Sequence, residues 1–151
     1  MKRISFLLLL ILGSGSLLLA QRATELNGEW EGYLTTGDLQ SGTMTRIQIQ
    51  IERQGRWQVV GQTYVEQADG RVLQMELRGR IYQDFSMRLW ELEPDTEGLE
   101  AAYKRQYQLV FKPDFSNASL NGYWQEISPY PTAEGLERGR VILKPKVQSG
   151  A

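Results

Sequence analysis

The chain has 151 residues, a length that suits one domain, and it contains neither cysteine nor histidine. Without cysteine there are no disulfides, no thiolate metal sites and no cysteine-linked lipid anchor, and without histidine the usual general base near neutral pH is missing. Its 17 bases and 18 acids give a formal net charge of −1, which is no electrostatic footprint for nucleic acid or for an anionic membrane. We therefore predict no metal, no cofactor and no nucleic-acid partner.

Residues 1–20 have the layout of a secretory signal peptide. Lys2 and Arg3 precede an apolar run that is interrupted at residues 13–16 and resumes up to Ala20. We predict cleavage after Ala20, which leaves residues 21–151 as one secreted or periplasmic domain that does not span the membrane. The alternative is an uncleaved anchor, although this run is marginal for crossing about 30 Å of hydrocarbon. Because residues 1–20 hold two bases and no acid, the mature chain keeps 15 bases against 18 acids, a net charge of −3.

The remaining sequence predicts eight short β-strands separated by turn signals. The second has the clearest alternation, with Ile47, Ile49 and Ile51 on one face and polar residues on the other. Steps such as Gln54-Gly55 and Asp69-Gly70 mark tight turns between strands. The eight predicted segments are 28–35, 43–52, 56–65, 71–82, 84–92, 105–112, 119–127 and 138–144.

The number and spacing of these segments predict an all-β fold, an eight-stranded antiparallel up-and-down β-barrel. Most connections are short enough for hairpins, and eight strands enclose a space that side chains or one small ligand can fill. Glycines also recur on the predicted inner face, where they favour tight bending of the sheet. These glycines are Gly28, Gly32, Gly61, Gly79, Gly122 and Gly139.

The first strand contains Gly28-Glu29-Trp30, which matches the Gly-x-Trp of the calycin group: lipocalins, fatty-acid-binding proteins and avidins. With eight predicted strands, the chain resembles that group, and especially the small secreted lipocalin-like proteins of bacteria. The resemblance implies a lipocalin- or avidin-like barrel with room for a small ligand. It also implies that Gly28 and Trp30 help to close one end, and that a base near the last strand, Arg140 or Lys144, covers Trp30.

The aromatic residues at predicted inward positions suggest two functions. The first is a secreted, non-catalytic barrel that binds a small apolar ligand in its mouth. The alternative is an envelope or extracellular interaction protein whose barrel is filled by its own side chains, and which acts through loops such as 128–137 and through surface aromatics. The candidate ligand-binding residues are Trp30, Trp57, Phe85, Tyr107 and Trp124. The candidate surface aromatics are Tyr64, Tyr82, Trp90 and Tyr130.

Carboxylates are the remaining source of chemistry. No Ser-x-x-Lys, Gly-x-Ser-x-Gly or phosphate-binding glycine loop is present, so we predict that the protein is not an enzyme. An enzyme of this composition would need two acids that converge in a cleft. The acids around Pro94 offer oxygen ligands for calcium but lack the spacing of a calcium loop. These acids are Glu91, Glu93, Asp95 and Glu97.

Overall fold

The computed structural model describes residues 25–37, 42–92, 103–114, 116–128 and 135–147. The predicted signal peptide, Tyr130 and the acids at positions 93, 95 and 97 lie outside these ranges. The described residues form eight strands: β1 (Gly28–Thr36), β2 (Met44–Gln54), β3 (Gln58–Glu66), β4 (Val72–Ile81), β5 (Ser86–Leu92), β6 (Tyr103–Lys112), β7 (Ser119–Glu126) and β8 (Arg138–Pro145). Each predicted segment is therefore confirmed as a strand, with small shifts at its ends.

The strands form one closed barrel. Each pairs antiparallel with its neighbours in the chain, and β1 also pairs with β8, from Trp30 opposite Pro145 to Thr36 opposite Gly139. This confirms the predicted eight-stranded antiparallel barrel, an architecture compatible with a calycin-like fold. The strand ends define two openings. We call the end at which β1 begins the Trp30 end, and the end at which β1, β3, β5 and β7 finish the loop end.

Alternation along the strands places the core inside the barrel. In β2, Ile47, Ile49 and Ile51 are buried, whereas Arg46 and Glu52 face solvent. The same period of two buries one residue in two on the other strands, because successive side chains in a strand point to opposite faces. The hydrophobic core is therefore a single cluster to which all eight strands contribute.

Inward glycines let neighbouring strands coil closely. A Cβ at position 61 would lie 1.8 Å from the carbonyl oxygen of Gln50 on β2, far inside contact distance. The same obstruction by backbone oxygens of adjacent strands occurs at Gly32, Gly79, Gly122 and Gly139. Gly28 differs from this prediction: no atom lies within 4 Å of its Cβ position, and its φ of +133° is the reason for glycine there.

Candidate functional site

Three of the five candidate ligand-binding aromatics lie inside the barrel. Trp30, Tyr107 and Trp124 are all buried. Tyr107 and Trp124 are directly opposite each other on β6 and β7. Trp30 instead packs edge-on against Phe111, with ring centroids 5.8 Å apart, four positions along β6 from Tyr107. The interior aromatics are thus divided between the two halves of the barrel.

Trp57 and Phe85, which were also expected inside the barrel, are not buried. Trp57 lies in the turn before β3, half-buried, with the Arg56 guanidinium 4.7 Å from its ring centre. Phe85 lies in the turn before β5 with a φ of +61° and is 47% exposed, and its ring packs edge-on against Phe111 at the Trp30 end, with ring centroids 6.2 Å apart. The five aromatics therefore do not converge on one pocket.

The base expected over Trp30 is also absent from that position. Alternation in β8 buries Val141 and Leu143, so Arg140 and Lys144 face outward. The guanidinium of Arg140 lies 5.7 Å from the ring centre of Tyr123 on the outer wall, and the Lys144 ammonium donates a hydrogen bond to Asn117. The segment before β1 covers Trp30 instead.

Trp30 is held at its end by its own chain. Its indole N–H donates to the Leu26 carbonyl oxygen (2.9 Å), and Leu26 is buried beside it. A buried indole N–H needs such an acceptor. Trp30 therefore does help to close the barrel, as the resemblance implied. Leu26 and Phe111, rather than a base, pack against it.

The interior is filled by the protein's own side chains. A void large enough for a water molecule would leave its wall accessible. Side chains from five strands are instead completely inaccessible: Ile47, Ile49, Leu89, Tyr107, Leu120, Val141 and Leu143 are each 0% exposed. Around these seven positions the side chains therefore leave no gap as wide as a water molecule.

A charged cluster lies inside the barrel towards the loop end; we call it the Glu91 cluster. Thr63 and Tyr107 donate from their hydroxyls to Glu91 Oε1 (2.7 and 2.5 Å), and Arg105 Nη1 donates to Glu91 Oε2 (3.2 Å). Glu91 is 0% exposed and the Arg105 side chain 15%. The cluster thereby joins β3, β5 and β6.

The electrostatics of the Glu91 cluster keep it tightly paired. Burial raises the pKa of Tyr107 well above its usual value, and the neighbouring Glu91 carboxylate raises it further. Burial by itself would lower the pKa of Arg105, but the charge and hydrogen bond of Glu91, together with Tyr107 and Glu126, outweigh that effect and raise the pKa. The Arg105 guanidinium also lies 5.6 Å from the ring centre of Trp124. Three neighbouring side chains donate hydrogen bonds to Glu91, and Glu91 is inaccessible to solvent. Glu91 therefore holds β3, β5 and β6 together from inside the barrel.

The sequence suggested a role for Glu91 only as a candidate calcium ligand. Its place two residues after Leu89 puts it on the inner face of β5, a signal that was available from the alternation. Its carboxylate oxygens are already taken by Arg105, Thr63 and Tyr107. Among the residues that the structure describes, no three acids come together as a metal site.

The outer surface of β5–β8 carries a groove of about 640 Å³. Val110, Tyr123 and Ile142 form the apolar part of its lining, and each is 42–58% exposed. Tyr82, a surface aromatic predicted from the sequence, lies at its margin and is exposed as expected, whereas Tyr64 and Trp90 are half-buried. The volume falls within the range of ligand-binding clefts.

The charged part of the same surface is basic. We call the outer face of β5–β8 the basic wall; among its side chains that the structure describes, five exposed bases are Arg88, Lys112, Arg138, Arg140 and Lys144. No acid faces outward from these strands, because Glu91 is internal and Glu126 accepts a hydrogen bond from the Glu137 N–H at the loop end. None of the five bases forms an ion pair with another described residue.

The opposite half of the barrel is different. There Arg46 pairs with Glu31 (3.6 Å) and Arg78 pairs with Glu76 (3.1 Å). Outward acids on β1–β4 include Glu29, Glu52 and Glu66 as well. A chain with a slightly negative total charge therefore presents one wall of unpaired bases.

The chain matches no protein-family model and no curated protein. In the described parts of the chain, no helix has the length and apolar character needed to cross a membrane. The function must therefore be argued from the barrel itself.

Proposed function

We propose that the protein is an extracytoplasmic, non-catalytic interaction module: a filled, calycin-like barrel whose basic wall binds another protein. One observation carries the proposal. The groove with an apolar lining and unpaired bases lies on the outer surface, whereas the interior positions expected to hold a ligand are packed.

The interface composition supports a binding role for this wall. Tyrosine, methionine and arginine are enriched at protein interfaces, and hot spots are rich in tyrosine and arginine. Tyr123, Arg88 and Arg140 lie together on the wall, and Tyr33 and Met44 extend its exposed apolar surface onto β1 and β2. Exposed apolar side chains gathered in this way mark interaction sites on soluble proteins.

The internal acid supports a non-catalytic role. Glu91 is inaccessible to solvent and accepts hydrogen bonds from three donors inside the barrel, so its carboxylate is not presented to a substrate. Its contacts tie β3, β5 and β6 together, which stabilises the wall from behind. Glu91 therefore contributes to the scaffold that presents the groove.

Native mass spectrometry of the mature chain, purified without denaturation from its own organism, tests the filled barrel. We expect the mass of the polypeptide with no small-molecule adduct. An adduct that disappears on denaturation would contradict the filled barrel and favour the alternative, a small apolar ligand in the barrel mouth.

Photo-crosslinking tests the wall. A photoreactive amino acid replaces Val110 on β6 in one variant and Val72 on β4 in the matched control; both valines are exposed on the outer surface. We expect a specific protein adduct from position 110 that is lost when Arg88 and Arg140 are also replaced by alanine. Equal adducts from both positions, or none from position 110, would contradict the proposal.

A further inference from the structure

We propose that the partner of the basic wall is an acidic protein segment that also carries aromatic or aliphatic side chains. The inference rests on the proposed function and assigns the chemistry of its partner. It follows from charge complementarity, because the wall offers bases without counter-charges beside exposed apolar side chains.

The strand register arranges these groups in two parallel rows. The basic row runs across the strands through residues that are directly opposite one another: Arg80, Arg88, Gln108, Tyr123 and Arg140. The apolar row beside it runs through Val110, Asn121, Ile142 and Tyr33. Strands lie about 4.8 Å apart, so Arg88 and Arg140 are separated by about 14 Å along the wall. An occupant must therefore place acids along one side and apolar groups along the other.

Arg88 of the basic wall and Arg80 beside the wall on β4 repel each other in the free protein. Arg80 and Arg88 are directly opposite on β4 and β5, where like charges are destabilising. No described acid pairs with either of them. Carboxylates of a partner would remove this repulsion, and a guanidinium can bind each one with two parallel hydrogen bonds.

Two other occupants fit less well. A second copy docked by two-fold symmetry would set the same wall against itself and place base opposite base. An anionic bilayer would attract the wall but repel the rest of a mature chain whose net charge is −3. Both are outcomes that the experiment below can detect.

The experiment measures binding of a fluorescein-labelled random copolymer of glutamate and tyrosine to the mature protein by fluorescence anisotropy. Polyglutamate and a lysine–tyrosine copolymer are the comparison probes. The test variant Arg88→Ala/Arg140→Ala removes two unpaired bases of the wall. The matched control Arg46→Ala/Arg78→Ala removes two arginines that are paired with acids on the other half, and so makes the same change in net charge.

We expect the glutamate–tyrosine copolymer to bind more tightly than polyglutamate, and the lysine–tyrosine copolymer not to bind. The dissociation constant for the glutamate–tyrosine copolymer should rise about five- to tenfold in the wall variant and less than twofold in the control variant. Amide NMR signals of Val110, Tyr123 and Ile142 should shift on binding. Added salt should weaken copolymer binding by the wild type more than copolymer binding by the wall variant.

Several results would overturn the inference. Equal weakening by both variants would show that only the total charge matters, and equal binding of the lysine–tyrosine copolymer would show that the bases do not select the partner. Self-association in sedimentation, or binding to phosphatidylglycerol vesicles, that depends on Arg88 and Arg140 would assign the wall to a second copy or a membrane.

The two proposals fail in different ways. If no copolymer binds but crosslinks from position 110 persist, the partner chemistry is wrong and the interaction module stands. If neither copolymer binding nor crosslinking occurs, both proposals fall.

Discussion

At the scale of single residues, Glu91 is the side chain with the most demanding surroundings. A buried acid is stable only when donors replace the water it has lost, and here two hydroxyls and a guanidinium do so. Removing one member of a buried ion pair is much more harmful than replacing the whole pair by apolar residues. The Glu91 cluster therefore gives a test that separates pairing from packing.

Glu91→Gln should destabilise the protein by about 3 kcal/mol, since it leaves the mostly buried Arg105 without a counter-charge. Replacing the whole cluster, with Glu91→Leu, Arg105→Met, Tyr107→Phe and Thr63→Val together, should recover most of that loss. Urea denaturation gives both free energies of unfolding. A fourfold variant as unstable as Glu91→Gln would show that the cluster's shape, not its pairing, stabilises the barrel.

Tyr107 predicts a specific loss of stability at alkaline pH. An unfolded tyrosine loses its proton near pH 10, whereas burial and Glu91 hold the pKa of folded Tyr107 well above that value. Above pH 10 the folded state therefore binds more protons than the unfolded state, and stability falls as the pH rises.

Tyr107→Phe should cost about 1–2 kcal/mol at neutral pH, because Glu91 loses a hydrogen bond. The difference from the wild type should shrink as the pH rises beyond about 10, where the wild type suffers the additional loss. Urea unfolding at a series of pH values measures this difference. Tyr64→Phe, on the outer face of β3, is the control; a gap for Tyr107→Phe that stays constant with pH would contradict the linkage.

At the scale of the strands, the inward glycines set how closely the sheet can coil. The position that a Cβ would take at Gly61 is occupied by a backbone oxygen of β2, which a side-chain movement cannot relieve. Any substitution there must separate β2 from β3. The neighbouring Gln62 faces outward on the same strand and carries no such restriction.

Gly61→Ala should therefore destabilise the barrel by at least about 2 kcal/mol, at the upper side of the usual range for overpacking. Gln62→Ala, one position away, should cost less, about 1 kcal/mol, because it removes only the hydrogen bonds that Tyr64 and Gln74 donate to the half-buried Gln62 side chain. Thermal unfolding of the two variants compares them directly. Similar melting temperatures would mean that the strands separate without strain.

The strands could be predicted because the alternation of apolar and polar residues is visible in the local sequence. The residues at which the strands begin and end could not be predicted in this way. Trp57 has the same parity as Val59 but precedes the first residue of β3. Phe85 precedes β5 and has a positive φ, and its exposed ring packs against Phe111 at the Trp30 end. The alternation also puts Glu91 on the inner face of β5, but acids are seldom buried without partners. Because its partner Arg105 is identified only by the register of β5 and β6, the sequence alone did not predict a buried Glu91.

At the scale of the whole molecule, charge is segregated in a way that net charge conceals. Acids and bases nearly cancel over the chain, and this near balance argued against nucleic acid and an anionic membrane as partners. The closed barrel separates them: the outward acids of the described strands lie on β1–β4, whereas the exposed bases of the basic wall have no outward acid on their own strands. The sequence contained these residues, but only the barrel shows that they share one face.

This segregation predicts opposite effects for two similar substitutions. Arg88→Gln should raise stability by about 0.2–1 kcal/mol, because it removes the repulsion from Arg80. Arg46→Gln should lower stability by a comparable or smaller amount, since Arg46 pairs with Glu31. Urea denaturation at low and high salt is the measurement, and both effects should diminish at high salt. A loss of stability in Arg88→Gln would show that Arg88 has a stabilising contact.

The pairing of β1 with β8 sets the order in which this barrel is completed. Trp30 meets Pro145 and the Glu29 carbonyl oxygen accepts from the Lys146 N–H (2.8 Å), so the last ladder joins residues more than a hundred positions apart. Closing so long a loop is slow in comparison with forming hairpins. A chain that folds from its N-terminus onward can build its hairpins one after another, but it stays an open sheet with two unpaired edges until β8 is in place.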